Sequence, residues 1–303
     1  MSPRRPGHEP VLCEQVLRVL EPAGRRVLLD CTIGPGGHAA SLLDAAGTDA
    51  RLIGIDLDEA SLTLARKNLS QFRERARLFR ASFAKVGEVL AAAGEKHVDL
   101  LLADLGVAST QLDDAGRGLS FQADGPLDMR LGRQAGQTAA ELVNGLDETE
   151  LADLIYRFGE ERYSRRIARA IVAARTDNRI ERTLELARIV AGAVPRAAQR
   201  SRRGVHPATR TFQALRIAVN DELGGLQRLL EQLPGVLSPG GRAGIISFHS
   251  LEDRPVKQHF ARLAAAGEVK LLTKKPLTAT PAEVGTNPRS RSAKLRAIER
   301  TVR

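Results

Sequence analysis

Three aspartates, Asp30, Asp56 and Asp104, each close a short apolar run, and the first is followed almost at once by Gly34-Pro-Gly-Gly-His38. Runs 27–30, 51–56 and 98–103 have the length and Leu, Ile and Val content of buried strands. Carboxylates at strand ends accept hydrogen bonds from hydroxyls and amines and repel phosphates. Gly34, Gly36 and Gly37 have no Cβ, so the backbone there can take positive φ and let a ligand lie against it, beside the free amides of a helix start. Asp56 stands 22 positions after Gly34, the spacing at which an acid ending a second strand accepts both hydroxyls of a ribose. Asp30, just before the turn, could hold the amino-acid end of such a ligand. The expected occupant is a nucleoside that carries a cationic group.

A second group of reactive side chains, Ser247-Phe-His-Ser-Leu-Glu-Asp-Arg254, follows another apolar run at 242–248. It adds His249 and Arg254 to the candidate residues. Read as metal ligands, His249 with Glu252 or Asp253 falls short of a full set. Cys13 and Cys31, the only cysteines, suggest a reduced compartment rather than a zinc site or disulfide framework. No metal is expected.

The elements that must position these residues alternate. Helices are predicted at 38–46, at 58–69 with Asp58 as cap, and at 83–93, with a further strand at 76–80. Such βα alternation builds an open parallel sheet whose ligands lie beyond the carboxyl ends of the strands, so Asp30, Asp56 and Asp104 should share one rim. Residues 8–20 read as a short amphipathic helix ahead of the first strand, with His8 and Glu9 as its terminal cap. After Asp104 the alternation stops until about 215. An inserted helical subdomain at 113–214, within a core of 1–112 and 215–303, accounts for the gap. Its first part, the polar stretch 111–133, is expected as a lid. A helix at 211–233, a strand at 242–248, a helix at 251–265 and strands at 269–273 and 295–301, joined by a loop at 274–292, complete the core.

The chain of 303 residues carries a net charge of +10, which favours a polyanionic partner. Residues 151–220 contain fifteen arginines, no lysine and six acids. Arg196, Arg200, Arg202, Arg203, His206 and Arg210 crowd the connection that returns to the core. Guanidinium groups grip phosphates bidentately and stack on unpaired bases, so this cluster is the candidate nucleic-acid contact. The N-terminus lacks an apolar signal core, and no apolar run reaches the ~18 residues that span a bilayer. A cytoplasmic protein without membrane attachment is expected.

Two cofactors suit the glycine turn. Gly34-x-Gly36-x-x-Ala39 with Asp56 matches a dinucleotide fingerprint, so NAD and hydride transfer stand as one reading. S-adenosylmethionine is favoured by Asp30, by two terminal strands after a fifth, and by a basic insert that needs a large anionic substrate.

Seven motifs carry a resemblance: His8-Glu-Pro-Val-Leu, Gly34-Pro-Gly-Gly-His38, Asp104-Leu-Gly-Val-Ala-Ser-Thr-Gln-Leu-Asp-Asp114, Asp124-Gly-Pro-Leu-Asp-Met-Arg130, His206-Pro-Ala-Thr-Arg-Thr-Phe-Gln-Ala-Leu-Arg216, Ser247-Phe-His-Ser-Leu-Glu-Asp-Arg254 and Asn287-Pro-Arg-Ser-Arg-Ser292. In order and spacing they resemble the bacterial small-subunit ribosomal RNA methyltransferase H family, also called the MraW family. The resemblance implies a class I, Rossmann-like methyltransferase core with an inserted helical domain. It implies methyl transfer from S-adenosylmethionine to the exocyclic N4 of a cytidine in the decoding region of 16S ribosomal RNA, within the small ribosomal subunit. By position it implies cofactor contacts at Gly36, Gly37, His38, Asp56, Phe83, Asp104 and Gln111, with Phe83 on the adenine. The Asp/Asn-Pro-Pro-aromatic tetrad of many amino-methylating enzymes is replaced here by Asp104-Leu-Gly-Val. Asp104 or a nearby carbonyl would then accept the amine hydrogens, while His249 and Arg254 hold base or phosphate. An RNA-binding assembly factor with little turnover is the alternative of another class, and self-association is left open.

Overall fold

The computed structural model describes residues 10–132, 136–201 and 205–302. Two compact units divide it, Met1–Gly106 with Leu223–Arg303, and Val107–Glu222. The borders fall at 106/107 and 222/223 rather than at the expected 112/113 and 214/215. Val107 and Leu112 pack into the core of the second unit, as does Leu215, which draws both borders outward. No helix among the described residues is long and apolar enough to cross a membrane.

In the first unit, α1 (Cys13–Leu20) leads to β1 (Val27–Asp30), α2 (Gly37–Ala46), β2 (Arg51–Asp56), α3 (Glu59–Asn68), β3 (Ala76–Arg80), α4 (Val86–Ala93) and β4 (Val98–Asp104). The second unit holds α5 (Ser109–Asp113), α6 (Ala139–Gly145), α7 (Glu148–Gly159), α8 (Ser164–Arg175), α9 (Thr183–Ala193), α10 (Arg196–Ser201) and α11 (Thr209–Asn220). The chain returns through α12 (Glu222–Val236) to β5 (Leu237–Ser247), α13 (Ser250–Ala265), β6 (Val269–Leu271), β7 (Leu277–Thr278), α14 (Pro281–Thr286) and β8 (Lys294–Arg300).

The strands form one sheet in the order β3-β2-β1-β4-β5-β8-β6, with β7 also on β8. The first five are parallel, and β8 runs antiparallel to its neighbours. This is the class I, Rossmann-like arrangement, and its order reverses between β1 and β4. Alternation along the strands makes two cores. Leu29, Ile53 and Leu101 face α4, α12 and α13, whereas Leu28, Leu52, Leu100 and Leu102 face α1, α2 and α3.

Several sequence expectations are corrected. The 274–292 loop contributes β7 and α14, so the sheet has eight strands rather than seven. The helix expected at 83–93 opens as a separate 3-10 turn at Phe83–Lys85. The helix expected at 211–233 is two helices, because Asp221 takes a left-handed conformation, φ 47°, and caps α11. Arg216 pins that break with two hydrogen bonds to Glu222, 2.8 and 2.9 Å long. Both helices are amphipathic, so the apolar period runs on through the break and hides it.

Within the polar stretch expected as a lid at 111–133, the described residues 111–132 are not loose. Leu119, Leu127 and Met129 are buried in the core of the second unit. Leu127 N donates to Glu181 O at 2.8 Å, Thr183 N to Gly125 O at 3.0 Å, and Leu131 N to Asn220 Oδ1 at 2.8 Å. Its acids also change the distribution of charge. Across Val107–Glu222 eighteen arginines face sixteen acids, so this unit nets +2 and the first unit carries the remaining +8. The arginine-rich segment is thus largely balanced by its own unit, as in the 2.7 Å pair of Arg182 with Asp124.

Candidate active site

The reversal of strand order opens a crevice at the carboxyl ends of β1 and β4. Thr32 joins the two ends, since its Oγ1 accepts from Asp104 N at 2.7 Å. After β1 the chain turns through Gly34 (φ 48°) and Gly36 (φ 89°), both left-handed. A Cβ on Gly36 would also meet Leu69 Cγ at 3.2 Å, tighter than ordinary contact. Gly37 opens α2 against the Pro10 ring, where a Cβ would have ordinary contact at 3.4 Å. From β2, Asp56 holds this turn: its Oδ2 accepts from Gly34 N at 3.0 Å and its Oδ1 from Asp58 N at 2.8 Å.

His38, in the first turn of α2, points its Nε2 at Asp104 Oδ2, 3.6 Å away. Burial works against a charge on the ring, but Asp104, the Cys13 thiol and Asp30 outweigh it and push its pKa up to about 10. His38 is therefore a buried cation among carboxylates. Burial pushes Asp30 up to about 6, against the opposing pull of His38 and of the Thr32 amide. Asp56 is likewise raised to about 6, chiefly by burial and against its amide partners. Asp104 Oδ1 is buried without a hydrogen-bond partner among the described residues. Polar atoms left so at a strand-end crevice are where a ligand's donors and acceptors belong.

Phe83 follows β3, the neighbour of β2, and its ring edge lies on Gly225 of α12, where a Cβ would meet Cε2 at 3.2 Å. It is both a partner of the core and a residue of the rim on the Asp56 side. Gln111 belongs to the second unit, where its Oε1 accepts from Ala108 N at 2.9 Å and caps α5.

β5 pairs with β4 up to Asp104 opposite Ile246, which brings the 247–254 segment beside the β4 end. His249 caps α13, with Nε2 3.0 Å from Glu252 Oε1. Glu252 is 3% exposed, and its Oε2 accepts from Phe248 N at 2.7 Å. Arg254 is exposed in the first turn of α13. Sequence reasoning missed Asp253 as a structural residue. Its carboxylate takes Arg296 Nε at 2.6 Å and Nη2 at 3.2 Å, tying α13 to β8. Only the alternation of charge on β8 could have signalled this. Arg296 is 7% exposed, so Asp253→Ala leaves a buried guanidinium uncompensated and should cost about 3 kcal/mol in denaturant unfolding.

In the second unit, Arg196 and Arg210 are exposed, and Arg210 Nη1 donates to Glu160 O at 2.9 Å. His206 Nδ1 accepts from Ala208 N at 3.1 Å, and its ring lies 4.7 Å from that of Phe121. Arg202 and Arg203 lie outside the described residues, as do His8, Glu9 and the side chain of Arg200. No group of three or more His, Cys, Asp or Glu among the described residues could hold a metal ion.

The profile of the MraW methylase family matches residues 5–301. The chain belongs to that family. It is 51% identical to the ribosomal RNA small subunit methyltransferase H of Geobacter sulfurreducens, over 97% of this chain and 98% of that one. To the protein of the same name from Sorangium cellulosum it is 52% identical, over 98% and 92% of the two chains. Among solved structures, an rRNA methylase from Streptococcus thermophilus aligns over 96% of this chain and 94% of its own, at 9% identity and a TM-score of 0.42. The cofactor of this methylase family is S-adenosylmethionine, so the NAD reading is set aside. The rim suits that cofactor: glycines leave room for the backbone to come close, buried carboxyls offer acceptors, and Asp104 Oδ1 is left without a donor.

Proposed function

We propose that this chain methylates the exocyclic N4 of a cytidine in the decoding region of 16S ribosomal RNA, within the small ribosomal subunit. Support comes from the kinship with proteins named for small-subunit rRNA methylation and from the seven sequence motifs. The single observation that carries the chemistry is Asp104 Oδ1, buried and without a donor at the switch point of the sheet.

S-adenosylmethionine, when bound, supplies an electrophilic methyl group. The chain's own residues do the rest. Asp56 accepts the ribose hydroxyls, Asp30 faces the cationic amino-acid end, Gly34, Gly36 and Gly37 let the backbone approach, and Phe83 flanks the adenine. His38 balances the charge of Asp104. A cytosine amine is a weak nucleophile because its lone pair is delocalised into the ring, so alignment and proton removal dominate the barrier. Asp104 Oδ1 accepts an amine hydrogen, while His249, held by Glu252, and Arg254 grip the base or its phosphate. In the second unit, Arg196, His206 and Arg210 contact the RNA.

Radiolabelled methyl transfer to small ribosomal subunits from a strain lacking the enzyme, with nucleoside digestion, tests the reading. Label in N4-methylated cytidine is expected; label in another nucleoside, or bound protein without label, would overturn it.

The raised carboxyls set a pH dependence. Asp30 and Asp56 ionise only above about 6, whereas His38 stays charged up to about 10. Below pH 6 the acids that face the cofactor's amine and ribose lose their charge, so affinity for S-adenosylmethionine should fall about tenfold per pH unit for each required ionisation. Calorimetry between pH 5 and pH 8 checks this, and a flat profile would remove the two acids from the cofactor site.

A further inference from the structure

The charge that would draw a polyanion lies mainly in the first unit, and one groove there gathers it without neutralising it. The groove, about 410 Å³, runs between α1, β5 and the segment linking β6 to β7. Val19, Leu272 and Leu277 line its apolar part. Arg242 also lines it, but its guanidinium is already occupied, 2.9 Å from Glu21 and 2.7 Å from Glu299. That pairing also engages Glu21, the one acid of the lining. The remaining cations, Arg18, Lys274 and Lys275, are exposed, and none has an ion pair or hydrogen bond among the described residues.

Three uncompensated cations around an apolar floor suit a strand whose phosphates meet the charges while its sugars lie on the aliphatic surface. An anion of a single charge would use one of them. We propose that this groove binds the phosphate backbone of the substrate RNA, as an anchoring site separate from the methyl-transfer rim. Geometry favours a strand that continues from the rim. Pro10, ahead of α1, packs on Gly37 of the cofactor turn, and Arg18 lies in the last turn of that helix, about 7.5 Å along its axis from the first helical residue, Cys13. The proposal rests on RNA being the substrate.

The test is the triple variant R18Q/K274Q/K275Q, with K275E alone as a second probe. Binding to small ribosomal subunits is titrated at salt concentrations between about 50 and 300 mM. Each phosphate that no longer meets a cation should reduce the slope of log affinity against log salt by about 0.7–0.9, so the slope of the triple variant should be shallower by about 2 to 3. Its KM for subunits should rise about tenfold or more, with kcat and affinity for S-adenosylmethionine unchanged. Its thermal midpoint should match the parent, since all three side chains are exposed. An unchanged slope and KM would overturn the groove. So would competition by polyglutamate as strong as that by RNA, which would mark an acidic protein as the occupant. If the parent protein neither binds nor methylates RNA, the substrate reading fails first; if the parent does both and the variant matches it, the groove alone fails.

Discussion

Asp104→Ala is expected to cut the methyl-transfer rate by about 10²–10⁴-fold, the range of a lost acid–base partner. The carboxylate does two things at once. Oδ2 lies 3.6 Å from the buried His38 ring, and Oδ1 is the unpartnered acceptor of the crevice. The backbone should stay in place, because Thr32 Oγ1 holds the Asp104 amide at 2.7 Å. Asp104→Asn separates the roles, since it keeps the volume and removes the charge. In that variant only the Cys13 thiol and Asp30 still oppose the effect of burial, so the His38 pKa should fall. Single-turnover rates at saturating S-adenosylmethionine read the chemical step, and calorimetry reads the cofactor step. Near-normal turnover in Asp104→Asn would sink the assignment of Asp104 as proton acceptor.

The largest stability effect is expected from Gly118→Ala. Gly118 has φ +67°, and a Cβ there would stand 2.0 Å from Pro126 O and 2.8 Å from Asp128 N. Both are backbone atoms, so no side chain can rotate away. Relief requires moving 126–128, which carries the buried Leu127 and its bond to Glu181 O. The left-handed backbone alone costs about 1 kcal/mol or more, and displacing packed backbone should bring the loss above about 3 kcal/mol. Hydrogen exchange should show protection removed in the second unit and kept in the first. A variant that unfolds and exchanges like the parent would mean that 111–133 is the mobile lid its composition suggests.

That stretch shows why part of the fold was illegible. Asp, Gly and Arg over some twenty residues read as solvent-exposed because composition cannot say which partners will meet them. Here Asp124 finds Arg182 and the Leu184 amide, and Gly125 and Gly118 are glycines because backbone crosses them at contact distance. These partners are remote in sequence. The break at Asp221 was hidden for a related reason, since two amphipathic helices in phase look like one.

What the sequence determined by itself was local: which runs become strands, where the glycine turn must take positive φ, and that acids close β1, β2 and β4. Those features depend on residue type and period over a few residues, and parallel pairing then carries the strand ends to one rim. The family, too, was legible in short motifs at fixed spacing. Tertiary structure alone decided the rest. It placed His38 as a cation against Asp104, because its charge depends on burial and on carboxylates from other strands. It turned Asp253 into the clamp of β8, and it assigned most of the net charge to the core unit by setting the acids of 107–150 beside the arginines that follow them. Each is a matter of which distant groups share a low-dielectric space, which no local pattern records.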